Sequence, residues 1–192
     1  LERIGSCAFE FCNSLSGNIS FPNSLTYIGN SAFYGCSFSG RLKLPDSLEY
    51  IGWSAFEDSG NFTGDLVIPE KLTALSDRTF YCTNFSGSLI LNNVQSIGLS
   101  CFDSCNFKGD LVISEGVAEI ESRAFWGNDF ISITLPSTLK VIKSSAFSYN
   151  QRLTHPIVFP EGTISIEQAA FQSCLQIQGV SFPSTLQTIG QW

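Results

Sequence analysis

The chain has 192 residues, enough for one ordinary domain or a short repeat array. Apolar residues make up 43% and charged residues 14%, which excludes simple disorder, a state that needs low hydrophobicity and high charge. A formal net charge of -7, with ten scattered Lys and Arg, argues against nucleic-acid binding, and no apolar run approaches the roughly 18–20 residues that cross a bilayer.

From the first residues onward, an apolar position is followed five places later by Phe. The pairs are Ile4 and Phe9, Ile28 and Phe33, Ile51 and Phe56, Leu75 and Phe80, Ile97 and Phe102, Ile120 and Phe125, Ile142 and Phe147, and Ile166 and Phe171. A ninth start, Ile189, stands just before Trp192. The period is 22 to 24 residues, and self-similarity at that length marks a solenoid. Each Ala-Phe segment predicts one turn of 3₁₀ or α-helix that tucks Phe inward. An alternating apolar triplet follows and predicts a short strand: Leu42–Leu44, Leu66–Ile68, Leu89–Leu91, Leu111–Ile113, Ile133–Leu135 and Ile157–Phe159. Pro22, Pro45, Pro69, Pro136, Pro160 and Pro183 close these strands, since Pro has no N–H to give a ladder. A second extended stretch is expected around Leu48 and Ile51, Leu72 and Leu75, Val117 and Ile120, and Leu139 and Ile142. Two copies depart: Leu91 to Val94 is one residue short, and Thr163 sits where an apolar residue belongs, with Ile164 expected to substitute by a local bulge.

A single coil of about 23 residues cannot bury enough apolar surface to offset its ordering entropy, so neighbouring coils must cover each other. Leu1 and Trp192 both fall inside motifs, as expected of a piece of a longer chain. The expected organisation is one repeat array over residues 1–192, its unfinished ends covered by flanking repeats or by end-to-end stacking with a partner.

The run Ile28-Gly29-x-Ser31-Ala32-Phe33-x-x-Cys36, then an alternating strand, Pro45 and x-x-Leu48-x-x-Ile51-Gly52, resembles the BspA-like leucine-rich repeat. The resemblance covers essentially the whole chain. It implies a repeat solenoid, a right-handed leucine-rich-repeat horseshoe of about eight repeats, mainly short parallel β-strands with 3₁₀ or helical turns and a sheet on the concave side. It also implies a surface or secreted protein, similar to adhesins for host matrix proteins.

Seven cysteines raise disulfide and metal readings. Cys12, Cys36, Cys105 and Cys174 share one slot, three residues after the motif Phe, with Ser59, Thr83, Asn128 and Asn150 in other copies. A slot that accepts Cys, Ser, Thr or Asn asks for a small side chain that hydrogen-bonds backbone. Cys12 and Cys36 on adjacent rungs are also within reach of a disulfide. No zinc-type spacing with a nearby His occurs, so neither metal nor cofactor is expected. His155, the sole histidine, precedes Pro156 without an evident nucleophile or orienting acid, and no catalytic residue is assigned. The three sequons at Asn18, Asn61 and Asn84 are near chance expectation, and the Phe inside two of them reads as inward-facing.

The middle residues of the triplets form an outward column: Ser20, Lys43, Val67, Ile90, Val112, Thr134, Val158 and Ser181. Val67, Ile90 and Val112 are apolar on three successive rungs, Asp65 and Asp110 precede two of them, and Asp46, Glu70, Glu115 and Glu161 form an acidic file beyond the strands. An apolar patch rimmed by charge is a candidate interaction site, although β-branched residues also simply favour strands. The candidate binding residues are Lys43, Asp65, Val67, Ile90, Asp110, Val112 and Thr134. Tyr34, Tyr81 and Trp126 lie on another face, as partner anchors or as covers for neighbouring turns. The expected function is a non-enzymatic, adhesin-like module that engages a protein ligand, host or matrix, through its concave sheet. The alternative is a structural spacer. Family habit favours the cell surface or secretion, whereas reduced ladder thiols suit the cytoplasm.

Overall fold

A computed structural model describes residues 1–191. Taking each coil from one motif start to the next, coil one begins at Ile4 and coil eight at Ile166. Every strand pairing is parallel and joins a strand to its counterpart one coil further along. Among the described residues the ladders are interrupted at some coil boundaries, as between Leu89–Leu91 and Lys108–Val112. The chain is therefore a parallel β-solenoid of about eight turns.

One strand position holds the two residues that end at each motif start, with Ile4 in register with Ile28 and Ile28 with Ile51. The same column resumes as Ile120, Ile142, Ile166 and Ile189. A second position holds the triplets, where Leu66, Val67 and Ile68 pair with Leu89, Ile90 and Leu91. A third, just past the turn, pairs Ser16–Gly17, Ser37–Gly40 and Asn61–Phe62. In coils five and six it merges with the triplet strand, across a register shift between Gly109 and Asp110. Leu42–Leu44 differs from expectation, since it forms no strand; Leu42 and Leu44 are nevertheless buried and Lys43 exposed, so the alternation survives without a ladder.

The turn is not helical. Among the described residues there is no helix, and the third and seventh residues after each motif start have positive φ: Ser31 at 51° and Gly35 at 69°, Arg123 at 56° and Gly127 at 65°. Left-handed residues four apart break any helical hydrogen-bond run. They turn alternate N–H groups toward the next coil instead: Ser31 N–H donates to Trp53 C=O, Phe33 to Ala55 and Gly35 to Glu57, each at 2.9 Å. These inter-coil bonds hold Ser, Arg and Asp in a conformation that such residues rarely adopt.

The interior is a pile of rings. Neighbouring motif phenylalanines from Phe9 to Phe171 stack with centroids 5.1 to 5.7 Å apart. A second buried file, Phe38, Phe62, Phe85, Phe107 and Phe130, includes the two sequon phenylalanines and meets the first edge-on at Phe33, Phe80, Phe102 and Phe125. Val94 reaches the core despite its shortened copy. The expected bulge at coil seven is absent: Thr163 itself fills the buried slot, its hydroxyl 3.4 Å from Leu139 C=O, and Ile164 faces solvent at 39% exposure.

Candidate functional site

The ladder of triplet strands sets the candidate face. Period-two alternation sends Leu66, Ile68, Leu89 and Leu111 into the core and leaves every middle residue outside. Ser20, Lys43, Thr134 and Ser181 are exposed, as are Val67 at 45%, Ile90 at 41%, Val112 at 56% and Val158 at 64%. Val67 stands beside Ile90, and Val112 beside Thr134, by strand register. A groove of about 720 Å³ crosses coils two and three, and Lys43, Asp65 and Val67 all line it, with Arg41 and Glu70. Ile90, Val112, Asp110 and Thr134 continue the face beyond that groove.

The carboxylates around the column are partly engaged within the pile. Asp65 accepts from Ser88 N–H at 2.8 Å, and Asp110 from the Ser132 hydroxyl at 2.5 Å. Glu115 accepts from Ser137 N–H at 3.0 Å and from its hydroxyl at 2.8 Å; Glu161 binds Ser184 in the same way. The Ser137 donors hold the Glu115 carboxyl below its usual value. Glu115 and Glu161 of the acidic file are thus also inter-coil clasps, a role not foreseen from sequence.

The slot three residues past the motif Phe makes one hydrogen bond that recurs from coil to coil. Its side chain donates to the carbonyl of the preceding coil's motif Phe: Cys36 to Phe9 at 3.2 Å, Cys105 to Phe80 at 2.9 Å, Asn128 to Phe102 at 2.8 Å, Asn150 to Phe125 at 2.9 Å and Cys174 to Phe147 at 3.1 Å. Ser59 and Thr83 do the same for Phe33 and Phe56. All seven cysteines are free thiols, so the disulfide within reach of Cys12 and Cys36 is not formed. Burial pushes the Cys105 thiol well up and Cys174 up to about 11. Among the described residues, no group of three His, Cys, Asp or Glu is placed to hold a metal ion. His155 is exposed, with Nδ1 3.3 Å from Ile131 C=O.

Tyr34, Tyr81 and Trp126 are half-buried covers of neighbouring turns. Tyr34 packs on Phe11 with centroids 4.8 Å apart. The Arg78 guanidinium lies 4.2 Å from the Tyr81 ring and bonds the buried Glu57, with Nε to Oε2 at 2.9 Å. Arg123 repeats the arrangement two coils on, 4.5 Å from Trp126 and 2.8 Å from the buried Asp103. Sequence reasoning missed both pairs. The only available signal was an Arg 20 or 21 residues after a carboxylate, one coil apart.

A family model described as a BspA type leucine rich repeat region of six copies matches residues 2–129 and 73–192. The chain belongs to the BspA-type leucine-rich-repeat family. Proteins with this repeat are generally non-enzymatic scaffolds for protein interaction. No curated protein matches. A leucine-rich repeat protein from Bacteroides ovatus ATCC 8483 has 24% identity and a TM-score of 0.70, over 99% of this chain and 43% of its own. A leucine rich cell surface protein from Faecalibacterium prausnitzii A2-165 has 17% identity and a TM-score of 0.39, over all of this chain and 69% of its own. This BspA-type chain thus spans less than half the length of the B. ovatus structure. Among its described residues, no helix is long and apolar enough to cross a membrane.

Proposed function

We propose that this BspA-type array is an adhesin-like binding module, displayed at the cell surface or secreted, that holds a protein ligand on its triplet-strand face. The observation that carries this reading is the exposed run Val67, Ile90 and Val112, each between 41% and 56% exposed. Their burial would add nothing to the core, which lies on the other side of the strand, and three aligned apolar side chains form a ready contact stripe. Replacing all three with Ser removes the stripe and leaves the buried alternation intact. In a panel of purified host-matrix proteins, the reading expects capture by the native chain and its loss in V67S/I90S/V112S, with thermal unfolding within a few degrees of native. Undiminished capture by the triple variant would refute it.

A second reading, a structural spacer, is favoured by the apolar end of the pile. Leu175, Val180, Phe182 and Ile189 are 78%, 49%, 54% and 56% exposed beside a cavity of about 370 Å³. A coil stacked on this end would cover them. Sedimentation at high concentration separates the readings, because a clean monomer undercuts assembly through this end.

A further inference from the structure

Resting on the strand-face reading, we infer that the ligand element seated there is a basic amphipathic helix laid along the axis of the pile. The first observation is a two-coil repeat inside the one-coil repeat. Gly64-Asp65-Leu66-Val67-Ile68-Pro69-Glu70 and Gly109-Asp110-Leu111-Val112-Ile113-Ser114-Glu115 differ only at Pro69 and Ser114. Coil four, between them, carries Ser88, Ile90 and Asn93. The face is therefore apolar on three successive rungs, with a carboxylate on each side of the outer two.

The second observation is that, among the described residues, these carboxylates have no cationic partner. The bonds to Asp65, Asp110 and Glu115 come from Ser88, Ser132 and Ser137, all neutral donors. Among the described residues, none of Asp65, Glu70, Asp110 and Glu115 forms an ion pair. The nearby Lys71 is directed to Glu49 at 3.9 Å. Arg41 and Lys43 line the groove at coil two with Asp46, and Lys71 lines it at coil three with Asp65 and Glu70. A complementary surface is an apolar stripe flanked by Lys or Arg.

The third observation is spacing. Val67 and Ile90 are register partners, and Val112 holds the same triplet position one coil further on, outside that paired ladder. At about 4.8 Å per coil the outer two are about 9.6 Å apart. One helical turn rises about 5.4 Å, and residues i and i+7 are about 10.5 Å apart, so apolar residues at i, i+3 and i+7 meet all three rungs. An extended strand laid the same way offers same-side residues about 6.7 Å apart and misses the rungs. A polyproline II segment, at about 9.3 Å per turn, reaches the outer two and leaves Ile90 uncovered.

The test uses a labelled synthetic helical peptide with Leu at i, i+3 and i+7 flanked by Lys, titrated against the native chain by fluorescence anisotropy. Comparison peptides replace Lys with Glu, scramble the order, or use a Pro-rich backbone. The expected result is preference for the Lys-Leu helix, weakening with added salt. Affinity falls about tenfold or more in D65N/E70Q/D110N/E115Q and is unchanged in E2Q/E10Q/E119Q/E121Q, which removes four carboxylates elsewhere. Melting curves confirm that each variant folds; the Asn and Gln side chains keep an acceptor for the Ser donors. Equal weakening in the two quadruple variants, or equal binding of the Glu, scrambled or Pro-rich peptides, overturns the inference. Loss of matrix-protein capture in V67S/I90S/V112S, with no effect of D65N/E70Q/D110N/E115Q on the peptide, keeps the face and rejects the basic helix. Undiminished capture by the triple variant rejects the face itself.

Discussion

Phe102→Ala probes how the pile is held together. Phe102 is fully buried, stacked on Phe80 at 5.5 Å and on Phe125 at 5.7 Å, and meets the edge of Phe107 at 5.9 Å. Truncation removes three ring contacts and leaves a hole that stacked coils on both sides cannot easily close. A fully buried Phe→Ala change costs about 3–5 kcal/mol. Phe9 is the same motif residue in the first coil, but it is 40% exposed and stacks only on Phe33, at 5.4 Å. With one ring neighbour and partial burial, Phe9→Ala should cost about 1–2 kcal/mol. Urea unfolding of the native chain and both variants, followed by far-UV circular dichroism, gives the comparison through the midpoint and slope. The central substitution should also broaden the transition, because a weak interface in a one-dimensional array lets the two halves unfold separately. Equal losses at Phe9 and Phe102, or a loss below about 1 kcal/mol at Phe102, would refute stacking as the main source of stability.

Other outcomes follow from the hydrogen-bond ladders and thiols. Asn128 donates to Phe102, Phe125 and Trp126 carbonyls and accepts from Phe107 N–H, so Asn128→Ala strands buried backbone groups. It should cost about 2–3 kcal/mol, with Asn128→Ser recovering part, as read by denaturant unfolding. Arg123→Ala leaves the buried Asp103 carboxylate without its cation; since the Arg side chain is 43% exposed, water offsets part of the loss, and about 1–3 kcal/mol is expected. Asp103→Asn in the Arg123→Ala background should regain stability, and a further loss there would contradict the charge argument. Glu115 has a folded-state pKa below its unfolded value, so its clasp contributes above the unfolded value and is lost as pH falls through the folded one. Glu115→Gln should therefore lower stability slightly at neutral pH, flatten the acid limb of the stability profile below about pH 4.5, the ordinary Glu value, and converge with the native chain in acid. In thiol titration, exposed Cys7 and Cys12 should react first, whereas buried Cys101 and Cys105, whose thiols burial pushes up, should react only on unfolding.

Much of the architecture was written in single coils, and those parts were legible. The five-residue step from Ile97 to Phe102 and the alternation of Leu66, Val67 and Ile68 each describe local geometry that repetition makes unmistakable. The slot shared by Cys36, Ser59, Thr83 and Asn128 revealed its hydrogen-bonding role through the substitutions it tolerates. Features joining two coils were hidden, because their partners lie 20 to 27 positions apart and need not resemble each other. Arg123 with Asp103, and Ser137 with Glu115, are of this kind. The turn misled for a different reason. Ala-Phe suggests a helix by propensity, yet Ser31 and Arg123 adopt left-handed φ because stacked coils capture their N–H groups, a tertiary override of a local preference. Thr163 is a smaller instance, in which a buried hydroxyl finds Leu139 C=O and removes the need for Ile164 to turn inward.

The in-register pile, which alone brings residues from separate coils into one exposed column, is tested most directly by a distance. Nitroxides attached through noncanonical residues at positions 43 and 158, five rungs apart on the strand face, avoid the native thiols and can be measured by pulsed electron–electron double resonance. The account predicts one narrow distribution near about 24 Å, five rung spacings. A broad or split distribution, or a single peak displaced by two or more rungs, would contradict it.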